Sequence, residues 1–185
     1  MGKKVLIISS RPVPGGKANS EMLCREFMRG AQECGHDVEL VALREKKVNF
    51  CLGCEICVQK GDGCVQQDDM RELIAKWHEA DVLVLATPIY FMSVSAQLKV
   101  FIDRCIAGEG YIRLSSGNKA YFIGVSASKN IDENHHAATE SFRGFLRCLN
   151  TVEEGGVLNA GGAYAPGSIA GQEWLEKAYE MGKTV

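Results

Sequence analysis

Short apolar runs alternate with helical periodicities along most of the chain. Val5–Ile8, Val82–Ala86 and Ala120–Val125 are continuous apolar runs, which are typical of strands buried on both faces of a parallel sheet. Residues 38–42 alternate in polarity and predict a strand nearer the edge of that sheet. Val157–Leu158 indicates the core of a short fifth strand.

Between these runs, apolar residues recur at the spacing of one helix face. Cys24, Phe27, Met28 and Ala31 predict a first helix, which Gly35 ends. Asp69-Met70-Arg71-Glu72 resembles a capping box and predicts the start of a second helix. The apolar faces of the other four predicted helices are Met70, Leu73, Ile74 and Trp77; Leu98, Phe101, Ile102 and Cys105; Phe142, Phe145, Leu146 and Leu149; and Trp174, Ala178 and Met181.

Five strands alternating with five helices predict right-handed βαβ crossovers and an α/β, three-layer, flavodoxin-like fold. The expected sheet is parallel, has the strand order 2-1-3-4-5 and carries helices on both faces. We expect a single domain over residues 1–185, with a cysteine-rich insertion at 49–67. In this topology ligands bind at the carboxyl ends of strands 1, 3 and 4.

The composition excludes several classes of protein. The chain has 185 residues, of which 46% are hydrophobic and 24% charged, so it has the balance of a globular protein. A net charge of −2 and the lack of a basic cluster beyond residues 44–47 argue against nucleic acid as a partner. The apolar run Val5–Ile8 is too short for a signal peptide or a membrane span, so a cytoplasmic protein without a membrane partner is expected.

The segment after the first strand has the composition of a phosphate loop. Residues 9–20 contain three hydroxyls, two glycines and the cations Arg11 and Lys17, and they lead into a helix N-terminus, where backbone N–H groups favour an anion. The alternative is an ordinary βα loop in which Asn19 or Ser20 caps the helix. The segment has neither G-x-G-x-x-G nor the P-loop pattern, which argues against a dinucleotide fold and a P-loop ATPase.

The segments after the third and fourth strands add an apolar and a polar wall. Thr87–Ser95 carries large apolar side chains where a solvated turn is expected, and such side chains suit a flat ring system or, alternatively, a subunit interface. Ser126–Asn130 is small and polar and suits hydrogen bonds to the edge of the same ring.

These segments carry a resemblance to a known family. TPIYFMSVSAQLKVFIDR (Thr87–Arg104) and VLIISSRPVPGGKANSEML (Val5–Leu23) are similar to the flavin loops of the NADPH-dependent FMN reductase superfamily, over roughly residues 4–130. The resemblance implies the FMN phosphate beside the first segment and the isoalloxazine against Pro88–Phe91. Met92 departs from it, since glycine is common there. The predicted FMN contacts are Ser10, Arg11, Lys17, Asn19, Ser20, Thr87, Pro88, Ile89, Tyr90, Phe91, Ser126 and Ser128.

Four of the eight cysteines form a compact motif. Cys51, Cys54, Cys57 and Cys64 have the spacing C-x2-C-x2-C-x6-C, whose first three positions match a ferredoxin-type cluster. Zinc, a redox dithiol and a motif without a metal are the alternatives. The motif resembles that of the iron–sulfur flavoproteins, which implies a [4Fe–4S] cluster beside FMN. The other cysteines (Cys24, Cys34, Cys105 and Cys148) are expected to act as small hydrophobes on helices or helix ends.

The function predicted from these features is an FMN-dependent oxidoreductase that transfers electrons, with the cluster as a relay. One alternative is an NAD(P)H-dependent FMN or quinone reductase without a cluster, with NAD(P)H as co-substrate; another is a non-enzymatic flavin or redox sensor. FMN performs the electron chemistry, so no catalytic side chain is predicted. His135 and His136 either touch substrate or are exposed residues near a helix start. The expected partners are small-molecule or redox-protein donors and acceptors, and a second subunit in a homodimer or homotetramer.

Overall fold

The computed structural model describes residues 2–11, 18–61, 63–113 and 117–185. Their parallel strands have the order β2-β1-β3-β5-β6, which is the predicted 2-1-3-4-5 order counted over the parallel strands alone. The short strand β4 was not predicted; it pairs antiparallel with the end of β3. The strands are β1 (Lys4–Ser9), β2 (Asp37–Ala42), β3 (Val82–Tyr90), β4 (Ser93–Val94), β5 (Lys119–Val125) and β6 (Glu153–Ala160).

Helices cover both faces of the sheet, which confirms the α/β, flavodoxin-like prediction. The described helices are α1 (Asn19–Glu33), α2 (Ile56–Lys60), α3 (Met70–Glu79), α4 (Ala96–Arg104), α5 (Glu109–Ile112), α6 (Ile131–Leu149) and α7 (Glu173–Gly182). Two 3-10 turns cover Leu43–Glu45 and Cys105–Ala107. The short helices α2 and α5 were not predicted, and α2 lies inside the cysteine segment.

The continuous apolar runs have a direct cause in the packing. Val5 and Ile7 of β1 face the core formed with α1 and α7, whereas Leu6 and Ile8 face the core formed with α3, α4 and α6. Successive strand residues point to opposite faces, so a central strand covered on both sides needs an apolar residue at every position. Edge strand β2 shows only partial burial, as its alternating pattern predicts.

The helix ends agree with the sequence at one place and differ at another. Gly35 follows α1 with a φ of 84°, and its N–H donates to the carbonyl of Gln32, as expected of a glycine that ends a helix. The predicted capping box at Asp69 is wrong, because no side-chain bond from Asp69 caps α3. The Asp69 carboxylate instead accepts from the backbone N–H of Lys47, and Asp68 accepts from the N–H of Met70.

Strand β6 is longer than the predicted core at Val157–Leu158. It covers eight residues and is irregular opposite Tyr121, where the register shifts. A Cβ at Gly155 would lie 2.4 Å from the Tyr121 ring, so this position has no room for a side chain. The glycines that accommodate Tyr121 also remove the apolar signal by which the strand would have been recognised. No helix in the described ranges is long and apolar enough to cross a membrane.

Helices α1 and α7 approach each other through two glycines. A Cβ at Gly30 would lie 2.1 Å from the carbonyl oxygen of Tyr179, and a Cβ at Gly182 would lie 2.1 Å from that of Phe27. Each glycine thus admits the backbone of the other helix. The two helices therefore pack closely over the core that they form with the sheet.

We expect Gly30→Ala to destabilise the protein, because the new methyl group must push a backbone carbonyl aside. Overpacking of this kind costs about 1–3 kcal/mol in the free energy of unfolding, measured by urea denaturation. Gly144→Ala is the matched control, since Gly144 also lies inside a helix but its Cβ would meet only the end of Arg147 at 3.7 Å. The control should be neutral or gain up to ~1 kcal/mol from helix propensity. Equal effects of the two substitutions would contradict the close contact.

Candidate functional site

An open cleft lies at the carboxyl ends of β1, β3 and β5, where the topology predicts a ligand. Its volume of about 320 Å³ is within the usual range for small-molecule sites, roughly 300–1,000 Å³. Four segments line it: Arg11, Asn19 and Ser20; Pro88, Ile89 and Tyr90; Val125, Ser126 and Ala127; and Ala163, Tyr164 and Pro166.

The last of these segments was missed by the sequence reasoning. It follows β6 and is held against the cleft by Asn19, whose side-chain amide donates to the carbonyls of Ala163 at 3.0 Å and Ala165 at 2.9 Å. The Asn19 side-chain oxygen accepts from the backbone N–H of Ile169 at 3.3 Å. A glycine- and proline-rich loop with one aromatic, directly after a parallel strand, was the available signal.

Asn19 therefore has a different position from the one expected of a helix cap. Helix α1 is preceded by Ala18, which makes no side-chain cap, and neither Asn19 nor Ser20 serves as the N-cap. Asn19 is buried, with 8% of its surface exposed, and its amide is engaged by residues 163–169. Its predicted role as an FMN contact stays a prediction.

Buried hydroxyls form the floor below the cleft. The Ser10 hydroxyl donates to the carbonyl of Ala86 at 3.1 Å and accepts from the Ser95 hydroxyl at 2.8 Å. The Thr87 hydroxyl accepts from the backbone N–H of Ser95 at 3.0 Å. Ser10 and Thr87 are fully buried and do not line the cleft, so among the described contacts they support its wall from behind.

The apolar wall is strained at its tip. Phe91 and Met92 form the turn between β3 and β4 with φ values of 49° and 62°. This left-handed conformation favours glycine, which explains why glycine is common at the position of Met92, and it costs a non-glycine residue of order 1–3 kcal/mol. Phe91 projects fully into solvent, beside the half-exposed Tyr90. Strain and apolar exposure at one turn are typical of a binding site.

A buried histidine lies behind the polar wall. His135 is 1% exposed, and its Nε2 lies 2.8 Å from the Ser126 hydroxyl, which lines the cleft. Its Nδ1 lies 3.0 Å from the side-chain oxygen of Asn159, and burial lowers its pKa despite that contact. The expectation of an exposed residue was wrong for His135, although His136 is exposed. Since His135 reaches the cleft through Ser126, it orients that hydroxyl.

Cationic groups surround the start of α1. Arg11 lines the cleft, and the buried carboxylate of Glu21 is bonded by Arg25 at 2.9 Å and lies 3.6 Å from Arg44. These arginines offset the negative charge that Glu21 places near a predicted phosphate site. Lys17 and the rest of residues 12–17 lie outside the described residues.

All four cysteines of the motif border the same second cavity, which has a volume of about 410 Å³. Its other walls are largely apolar, and the buried cation Arg104 reaches it. Gly53 and Glu55 take left-handed φ values of 64° and 57°, so the chain turns sharply between the cysteines. Across the described ranges, no three His, Cys, Asp or Glu side chains are arranged to hold one metal ion.

The other four cysteines differ from these. Cys24 and Cys105 are buried in the two cores, and burial raises the pKa of Cys24 to about 12 and that of Cys105 well above its ordinary value. They act as small hydrophobes, as expected. Cys34 and Cys148 are exposed, so that interpretation was wrong for them.

Of the predicted contacts, the structure brings Arg11, Asn19, Ser20, Pro88, Ile89, Tyr90 and Ser126 together at the cleft. The side chain of Ser128 instead accepts hydrogen bonds from the backbone N–H of Asn130 and from the side chain of Asn134. Helix α4 connects the two sites, because its N-cap, Ser95, lies below the cleft and its last residue, Arg104, lies beside the cysteines.

Comparison with known proteins places these sites in context. The family model described as NADPH-dependent FMN reductase matches residues 3–161. An iron–sulfur flavoprotein of Archaeoglobus fulgidus is 30% identical over 175 residues, which are 93% of this chain and 74% of that protein. An iron–sulfur flavoprotein of Methanocaldococcus jannaschii is 42% identical over 101 residues, which are 55% of this chain and 51% of that protein.

The fold also has close structural relatives. The NAD(P)H:quinone oxidoreductase from Methanothermobacter marburgensis superposes with a TM-score of 0.74 at 20% identity, over 99% of this chain and 96% of that one. At this identity the similarity shows a shared fold.

Proposed function

Since the chain belongs to the NADPH-dependent FMN reductase family, it is an FMN-dependent oxidoreductase, and we propose that it passes electrons between FMN in the cleft and a [4Fe–4S] cluster at the cysteine cavity. One observation carries the proposal: all four cysteines of the motif border a single cavity, at the far end of the helix that starts below the cleft. The A. fulgidus and M. jannaschii relatives are both named iron–sulfur flavoproteins, which supports the proposal.

The cleft suits FMN in shape and chemistry. Arg11, after β1, and Ser20, in the first turn of α1, would bind the phosphate, and Pro88, Ile89 and Tyr90 would pack against the ring. When bound, FMN supplies the acceptance and release of electrons. The protein's residues therefore bind and orient it, and none needs to act as an acid or base.

The cysteine cavity suits an extended cluster better than a single ion. A zinc site requires four ligand atoms about 2.0–2.3 Å from one point, whereas the thiols here surround a cavity without converging. Each cysteine of a [4Fe–4S] site binds a different iron, so its ligands stay apart. When bound, such a cluster supplies one-electron transfer, and Cys51, Cys54, Cys57 and Cys64 would hold it.

The accessibility of the cysteine site favours a redox protein as one electron partner. Cys51 and Cys54 are exposed, and Leu52 and Val58 beside them are about 60% exposed. The second candidate is NAD(P)H-dependent reduction of a small acceptor without a cluster, which the family's name favours. A non-enzymatic sensor would bind FMN yet catalyse neither repeated oxidation of NAD(P)H nor repeated reduction of viologen.

Arg11→Ala should weaken FMN binding, because it removes a cationic donor from the predicted phosphate site. A charge-assisted hydrogen bond is worth about 1.5–3 kcal/mol, so the dissociation constant should rise roughly 10- to 150-fold in a fluorescence titration. Arg147→Ala is the control, since Arg147 is an exposed residue of α6. If both variants bind FMN as the unaltered protein does, Arg11 does not contact the phosphate.

Cys54→Ser should abolish the cluster and retain FMN, because the two sites are built from different segments. Anaerobically prepared protein should contain about four irons per chain and absorb broadly beneath the flavin bands. Cys148→Ser, at an exposed cysteine outside the motif, should leave both unchanged and is a cleaner control than the buried Cys105. Identical iron content and spectra in the unaltered and Cys54→Ser proteins after reconstitution would contradict the cluster. The alternative of a reductase without a cluster would then be retained.

We further propose that the chain forms a homodimer or homotetramer with the flavin near an interface. Tyr164 lines the cleft and is 88% exposed, and Phe91, next to the lining residue Tyr90, is 105% exposed; a second subunit would remove this apolar surface from water. Sedimentation at micromolar concentration with FMN bound should give a multiple of the 20.2 kDa chain mass. A Phe91→Asp variant should shift the distribution towards monomer, whereas a monomeric unaltered protein would refute the assembly.

A further inference from the structure

Arg104 is the largest fully buried side chain of the described residues, and it lies outside the FMN cleft. Its guanidinium forms a two-fold contact with Asp68: Nη1 donates to Oδ2 at 2.8 Å and Nη2 donates to Oδ1 at 2.9 Å. Both side chains are 0–1% exposed. Charges are seldom buried completely, and a buried pair gains little stability over apolar residues, so this pair calls for another explanation.

The Arg104–Asp68 pair joins the two ends of the cysteine segment. Arg104 Nη1 donates to the carbonyl of Asn49 at 2.7 Å, and the Asp68 carboxylate accepts from the backbone N–H of Asn49 at 2.9 Å. Asn49 lies two residues before the first cysteine of the motif and Asp68 four residues after the last. Hydrogen bonds from Arg104 hold the pKa of Asp68 at about 2, so this contact keeps its charge over the physiological range.

A further contact points to the cysteines themselves. Arg104 Nη2 lies 3.4 Å from the sulfur of Cys64, and the guanidinium borders the cavity that the four thiols share. Its Nε is buried and has no hydrogen-bond partner among the described residues. Hydrogen bonds to cluster sulfurs and nearby charge are two of the factors that set the potential of an iron–sulfur centre.

We propose that Arg104 is the positioning residue of the cysteine site: it holds the segment in a binding conformation before any metal arrives and donates a hydrogen bond to the Cys64 sulfur that raises the midpoint potential of the cluster. The second half rests on the proposed function, and the first half does not. A donor and a positive charge beside the sulfur stabilise the reduced, more negative cluster over the oxidised one.

Two variants separate charge from geometry. Arg104→Lys keeps the charge but has a single ammonium, which cannot reach Asp68 and Cys64 as a planar guanidinium does. Arg104→Met combined with Asp68→Asn removes both charges, so that no carboxylate is left buried without a partner. Arg143→Met is the control, since Arg143 forms exposed ion pairs with Glu140 and Glu154 far from the cysteines in sequence.

The first measurement is anaerobic spectroelectrochemistry of the loaded proteins. At a fixed applied potential, the ratio of reduced to oxidised cluster should fall about tenfold in the double variant and less in Arg104→Lys. The FMN potential and the control variant should be unchanged. Equal cluster potentials in the unaltered protein and Arg104→Lys would overturn the hydrogen bond to Cys64, even with the cluster present.

The second measurement uses protein from which iron has been removed, so it does not depend on a cluster. Exchange of the Asn49 amide, whose N–H donates to Asp68, should be slow in the unaltered protein and about tenfold faster in Arg104→Lys, with exchange in β1 and β3 unchanged. If the unaltered protein assembles no cluster, the proposed electron transfer through a cluster fails. The exchange measurement still tests whether Arg104 holds the cysteine segment. Rapid exchange of the Asn49 amide in the unaltered iron-free protein would overturn the proposal that Arg104 and Asp68 hold this segment before metal binds.

Discussion

A small network of buried hydroxyls joins the two sites. Ser10 binds the carbonyl of Ala86 through both its backbone N–H and its hydroxyl, and it accepts from Ser95. The same Ser95 hydroxyl accepts from the N–H of Leu98 and so caps α4. The network therefore fixes where the first strand ends, where the second segment of the cleft (Pro88, Ile89 and Tyr90) begins and where α4 starts. Because α4 is a rigid rod about 13 Å long, it also fixes where Arg104 meets the cysteines.

The elements that were predicted are those whose apolar pattern in the sequence matches their burial in the fold. Val5–Ile8 and Val82–Ala86 lie at the centre of the sheet, and the requirement for apolar residues on both faces is visible in the sequence itself. Strand β6 and the cap of α3 were predicted less well. At β6, the glycines that accommodate Tyr121 interrupt the apolar run. At α3, the carboxylate of Asp69 bonds the backbone N–H of Lys47, which is too far away in sequence for a capping pattern to reveal.

The same distinction applies to the candidate site. Segments 9–20, 87–95 and 126–130 were recognisable because their chemistry follows directly after strong strand signals. The sequence did not reveal Tyr164 or the Arg104–Asp68 pair. Their positions depend on contacts between residues 36 or more apart in sequence. The cysteine spacing predicted which thiols lie together but not that an arginine from α4 holds their segment. Hydrogen bonds of Asn49 with Asp68 and Arg104 hold the start of that segment.

The bonds from Asn19 to the loop after β6 have a consequence for folding during synthesis. The side-chain oxygen of Asn19 and its partner Ile169 are 150 residues apart, and helix α7, which seals the core over α1, follows later still. At roughly 5–20 residues per second, a ribosome needs roughly 8–30 s to make that stretch. The face of the sheet covered by α3, α4 and α6 is complete earlier. A nascent chain thus carries one half-covered face for many seconds, which is the period when chaperones have most to protect.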